Sequence, residues 1–238
     1  MKKKFFNNIL RFFILAIFTA LIIRLSWPNV LRTYIETGIG SCEKIPIFCM
    51  APQEEIVIAE VNKDYLAGLV PYQFPKVELL APKGFNVIQE MIKKIYYKRS
   101  KRVHTGAVIY VLTEPKDYFM NLFPEVKKQG IKGNYNFMKL LMAAKVGQIN
   151  NLTDAFFVIM KGVFTPDLGN QNTAKMVEFT MADRRGFINY NFGKEINYFD
   201  CSVINNEGVF FKLYVKDAGA KLGLVEVFTI ISTLESKE

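Results

Sequence analysis

The sequence predicts an α+β protein in which an antiparallel sheet packs against helices, preceded by one N-terminal transmembrane helix. Three observations predict it. An apolar run from Ile9 to Trp27 follows a lysine triplet. Two segments between Val177 and Val215 alternate apolar and polar residues with period two. The C-terminal stretch places Leu224, Val227, Phe228, Ile231 and Leu234 on one helical face.

Composition supports a folded chain. Half of the 238 residues are hydrophobic, with 21 Phe and 11 Tyr, which is enough to bury a sizeable core and too apolar for disorder. The formal net charge is +9 and attracts acidic partners, but much of the excess sits in two places. One is the tail with Lys2, Lys3 and Lys4; the other is a run from Lys93 to Arg102.

Residues 1–8 read as a basic cytoplasmic tail and 9–27 as a signal-anchor helix. A span needs about 20 mostly apolar residues. Arg11 and Arg24 lie near the ends, where they snorkel to headgroups, and Trp27 suits the interface. A cleaved signal peptide is the rival reading, but no small-x-small cleavage site follows the run: Arg24-Leu25-Ser26-Trp27-Pro28 is a poor candidate. Ile39-Gly40-Ser41-Cys42 lies too far beyond the run to be a lipobox. Denser positive charge before the span puts the N-terminus inside and the bulk of the chain outside. The expected location is the cell membrane, single-pass, with a periplasmic globular domain.

Residues 28–76 carry several prolines and little periodicity, and read as a stalk or irregular lead-in with a short strand at Ile56–Ile58. Cys42 and Cys49 lie here. Outside the membrane they are candidates for a small structural disulfide, with two free thiols as the alternative. Their spacing fits neither zinc nor a redox Cys-x-x-Cys, and His104 is the only histidine. Cys201 shares a strand face with Phe199 and Val203 and reads as a buried, inert thiol.

The globular domain is expected over 77–238. Val108–Leu112 is apolar on both faces and reads as a central strand. Phe119–Phe123 reads as a helix that Pro124 ends or restarts, Phe137–Ala144 as an amphipathic helix, and Phe156–Val163 stays open between helix and strand. Two hairpins follow. Val177, Phe179 and Met181 precede a turn over Ala182–Gly186; Phe199, Cys201 and Val203 precede a turn over Asn205–Gly208. Such patterning predicts a sheet with one buried face.

The order of elements resembles the PsbP-like fold, a group of photosystem extrinsic subunits and DcrB-type bacterial envelope lipoproteins. The residues that carry the resemblance are Leu80-Ala81-Pro82-Lys83-Gly84-Phe85, the strand at Val108–Leu112, the Val177–Val215 meander and the closing helix, together about two thirds of the chain. The resemblance implies an accessory or binding role without catalysis, and no active-site residue is carried across.

The most distinctive charged feature is the run with Lys93, Lys94, Lys98, Arg99, Lys101 and Arg102 around Tyr96 and Tyr97. Its plain reading is a solvated loop between strands. Its functional reading is contact with an anionic lipid or polymer surface; nucleic acid is the least favoured partner. His104 has no nucleophile or acidic orienter near it in sequence. Asp154, Asp167, Asp183, Asp200 and Asp217 are scattered, and Asp183 and Asp217 sit where turns or caps need them. The stretch Gly162–Asn170 lacks phosphate-loop spacing, and the sequon Asn151-Leu152-Thr153 matters only in a eukaryotic secretory pathway. No catalytic residue, metal or cofactor is expected. The expected role is a membrane-anchored, non-enzymatic accessory or binding protein of a bacterial-type envelope with a protein partner. A ligand- or lipid-binding module with an aromatic-lined pocket is the alternative, and an unrecognised enzyme the third.

Overall fold

The structure is a computed structural model that describes residues 26–38, 42, 45–87, 106–165, 168 and 173–237. The described residues begin in helix α1 (described over 26–38), followed by a 3₁₀ turn, Pro46–Phe48. Strand β1 (Val57–Ile58), helix α2 (Lys63–Ala67), and strands β2 (Val70–Phe74), β3 (Val77–Ala81) and β4 (Asn86–Val87) follow, then β5 (Val108–Glu114). The helical middle comprises α3 (Tyr118–Leu122), α4 (Pro124–Lys128), α5 (Gly133–Ala143) and α6 (Leu152–Phe164). The C-terminal third holds β6 (Lys175–Thr180), β7 (Arg184–Phe192), β8 (Ile196–Asn205), β9 (Phe210–Ala218), α7 (Leu224–Ser232) and β10 (Glu235–Ser236).

Two sheets form. The larger runs β1-β6-β7-β8-β9-β5-β4, antiparallel from β6 to β5, with the two-residue strands β1 and β4 added in parallel at its edges. The smaller runs β10-β3-β2. Register decides which side chains meet: Ile188 pairs with Cys201, and Cys201 with Leu213, so these apolar residues share one face. That face packs against Val77, Leu79 and Ala81 of β3 and Val227, Phe228, Ile230 and Ile231 of α7.

The opposite face is also covered, which differs from the one-sided sheet the alternation predicts. Phe187, Ile204 and Phe210 point away from the first core and join Ile35, Phe48, Phe119, Phe137, Met138, Leu141 and Val158 in a second. The molecule is therefore three-layered: small sheet and closing helix, large sheet, helical layer. Two-sided burial also explains β5. Its apolar character on both faces reads as a central strand, yet its neighbours are β9 and the short β4, next to the edge.

Other expectations shift locally. The segment 28–76, expected as a stalk, supplies Ile35, Ile47, Phe48 and Phe74 to the cores, and β2 pairs with β3 across the expected boundary at 77. Its prolines hide this: Pro71 sits in β2, and Pro46 starts the 3₁₀ turn. The first hairpin turns earlier than expected, because Met181 N–H donates to Arg184 O at 2.8 Å and β7 already begins at Arg184. Pro124 does restart a helix, and the ambiguous 156–163 is helical within α6.

Among the described residues no helix is long and apolar enough to cross a membrane. The expected span 9–27 lies outside the described residues except for Ser26 and Trp27, which belong to α1.

Candidate functional site

On the helical side of the large sheet, alternation brings polar residues of three adjacent strands together. Asn189 of β7 pairs with Asp200 of β8, and Ser202 of β8 with Lys212 of β9. All four are buried. The Lys212 ammonium lies 2.6 Å from Asp200 Oδ1 and donates to Oδ2 at 2.8 Å. It also reaches Ser202 Oγ at 3.3 Å, and Asn189 Nδ2 donates to Asp200 Oδ2 at 3.3 Å. Burial raises the Asp200 carboxyl above the ordinary range, and Lys212 and Asn189 offset part of that rise.

A serine beside a lysine invites a nucleophile reading. The geometry opposes it: the lysine nitrogen is engaged by both oxygens of the Asp200 carboxylate, and Ser202 is completely enclosed. This arrangement works as a sealed ion pair. The adjacent Cys201, on the other face, is equally closed, and burial pushes its thiol well up.

A second buried cation sits in the helical layer. Lys161 of α6 is wholly enclosed and donates to three carbonyls, Met50 O at 2.5 Å, Met142 O at 2.7 Å and Ala144 O at 2.9 Å. Two of these are carbonyls at the end of α5 that have no partner within their own helix, so Lys161 caps that helix from outside. The third belongs to the chain just after Cys49. Burial, and then the charge of Lys145, lower its pKa to about 7. One residue on, Gly162 leaves room for the Phe48 ring: a Cβ there would lie 2.6 Å from Phe48 Cε1.

Lys161 and Gly162 thus dock the turn between the cysteines and the helical layer. Cys42 and Cys49 are disulfide-bonded, with Cα atoms 5.6 Å apart. From the preceding helix, Arg32 donates to Ile149 O at 3.5 Å.

At the rim, Tyr135 donates to Glu178, Lys139 adds a bond to Glu178 at 3.1 Å, and the Arg185 guanidinium lies 3.8 Å from the Tyr135 ring centre. Burial and the Glu178 carboxylate push the Tyr135 hydroxyl up to about 12. A cleft of ≈ 160 Å³ opens between the β2–β3 turn (Phe74–Val77) and Tyr110–Thr113 of β5. Beside it, among the described residues, β5 pairs with β4 at Val108 and Ile109.

The acidic residues marked in the sequence take structural work. Asp183 binds Arg184, whose guanidinium also donates to Ile231 O at 2.6 Å and Leu234 O at 3.0 Å at the end of α7. Asp217 Oδ2 accepts from Leu222 N–H before α7, and Asp154 with the cap residue Asn151 closes the start of α6. The basic residues Lys93, Lys94, Lys98, Arg99, Lys101 and Arg102, together with His104 and Asp167, lie outside the described residues. Among the described residues no group of three or more His, Cys, Asp or Glu is placed to hold a metal ion.

Sequence reasoning missed Lys161, Arg184 and the Asp200–Lys212 pair. The signal for Lys161 was present: it is the one basic residue in the apolar stretch Leu152–Phe164. No protein-family model matches this chain, and no curated protein matches its sequence.

Proposed function

We propose that this chain is a membrane-anchored, extracytoplasmic accessory or binding protein of a bacterial-type envelope, without an enzymatic activity of its own. The observation that carries the proposal is the Cys42–Cys49 disulfide, which follows the apolar run Ile9–Trp27 in the sequence after helix α1. Disulfides persist in oxidising compartments, and the charge bias of the N-terminus favours export of everything after the run. The PsbP-like reading belongs to this proposal and supplies its accessory character by analogy of fold. The alternative is a ligand-binding module, which would need an aromatic-lined cavity of several hundred Å³; the cleft beside β5 is about 160 Å³. Contact of the Lys93–Arg102 run with anionic lipid or polymer remains part of the proposal.

The test is made in intact cells. The full-length chain should stay with the membrane through an alkaline carbonate wash. A membrane-impermeant maleimide should label Cys42 and Cys49 from outside only after reduction. Crosslinking in the native membrane should then recover one protein in near-equal amount. Recovery in the cytosol with both thiols reactive before reduction overturns the localisation; recovery of background proteins alone overturns the accessory role.

A further inference from the structure

Helix α6 is built inside out. Its lysine, Lys161, has no exposed surface, whereas Leu152 is 64% exposed, Ile159 39% and Val163 53%. These three recur at i, i+7 and i+11 and form one outward stripe. Single exposed hydrophobics are ordinary. A helix with an apolar outer stripe and its only cation turned inward is not, because helices apolar on all sides are normally covered on all sides.

Helix α1 repeats the pattern. Leu31 and Ile35 turn to the core, while Trp27, Val30 and Tyr34, at i, i+3 and i+7, stay exposed, Tyr34 by 71%. The two helices belong to the same flank. Arg32 of α1 reaches Ile149 O, three residues before α6, and the 3₁₀ turn that follows α1 sets Phe48 on Gly162 of α6.

We infer that these two stripes rest on the bilayer surface, so that α1 and the outer face of α6 lie at the boundary between headgroups and acyl chains. The inference depends on the membrane-anchored reading above and adds to it which face of the domain meets lipid. Continuity of the chain selects this occupant. The described part of helix α1 includes Ser26 and Trp27, the last two residues of the apolar run Ile9–Trp27, so a membrane entered by that run is already at hand. The residue types agree: Trp27 and Tyr34 are the aromatics that favour that boundary, and the α6 stripe carries no charge.

The test uses the full-length chain reconstituted in phosphatidylethanolamine–phosphatidylglycerol vesicles. Single cysteines replace Ile159, Tyr34 or Glu207 (I159C, Y34C, E207C) and carry a nitroxide; Cys201 is enclosed and Cys42 and Cys49 are bonded, so the label is specific. Glu207, in the β8–β9 turn, is the aqueous reference. Labels at 159 and 34 should collide with oxygen relative to an aqueous nickel chelate several-fold more than the label at 207. A label at 159 as accessible to nickel as that at 207, in a chain that resists carbonate, overturns the inference and leaves the anchor standing. Release by carbonate overturns the anchor and the inference together. Label-to-label broadening that disappears on dilution with unlabelled chain overturns it in favour of a second copy.

Discussion

Replacing Lys161 with methionine separates what a buried cation contributes from what it costs. The substitution leaves three carbonyls, on Met50, Met142 and Ala144, without their donor. Each dry carbonyl costs about 1–3 kcal/mol. Methionine recovers most of the volume and removes the penalty of enclosing an ammonium, so a net loss of about 2–4 kcal/mol is expected near neutral pH. The dependence on pH is the sharper test. The Lys161 pKa is lowered from 10.5 to about 7 by burial and Lys145. Between those values the unfolded chain binds the extra proton, so native wild type gains stability as pH rises, by at most about 5 kcal/mol across the window. Below about pH 7 both states are protonated and the slope vanishes. The variant lacks the group, so the stability gap between wild type and Lys161→Met should widen from pH 7 to pH 10. Guanidinium unfolding of the detergent-solubilised chain, followed by far-ultraviolet circular dichroism, measures it. A gap that stays constant over that range refutes the reasoning, because it means that the three carbonyls hold the ammonium charged throughout.

Three further outcomes follow from the packing. Asp200→Leu or Lys212→Met alone should cost about 3–5 kcal/mol by stranding a buried charge, while the double variant should be close to wild type; additive losses in a double-mutant cycle refute a sealed pair. Arg184→Met uncaps the Ile231 and Leu234 carbonyls and should cost about 2–3 kcal/mol, with hydrogen exchange rising first at the end of α7; unchanged exchange there counts against the cap. Cys42→Ser with Cys49→Ser opens a short loop and should cost about 2–3 kcal/mol on the chain-entropy account. Proteolysis should then begin between 45 and 55, and an unaltered cleavage pattern argues against docking by the disulfide turn.

What was legible in the sequence follows physical range. The β6–β9 meander could be read because each strand carries its own period-two record, and α7 because one face is apolar and closes the chain. Helix α6 was open between helix and strand because a segment apolar on every side leaves no period to detect. The burial of Asn189, Asp200, Ser202 and Lys212 was hidden for the opposite reason. Their alternation is that of a solvated face, and only the helices from α3 to α6, distant in sequence, reveal that the face is enclosed. The β2–β3 hairpin was missed because Pro71 and Pro75 read as breaks rather than as edge strand and turn. The Cys42–Cys49 pair could be proposed from proximity, whereas the docking of its loop depends on Gly162, more than a hundred residues away, having no side chain.

The long-range strand pairings bear on how this chain reaches its native state. Val57 pairs with Phe179, Val77 with Ser236 and Val108 with Lys216, so strands made early wait for partners made last. The meander from β6 to β9 is the longest run of the large sheet in which neighbours are also neighbours in sequence, and it is the natural nucleus. In vectorial synthesis or export from the N-terminus, the order of emergence is therefore the reverse of the order of assembly. For most of that passage the helical segments and the early strands travel with their apolar surfaces unclaimed, which makes a holding chaperone, rather than speed of folding, the requirement for yield.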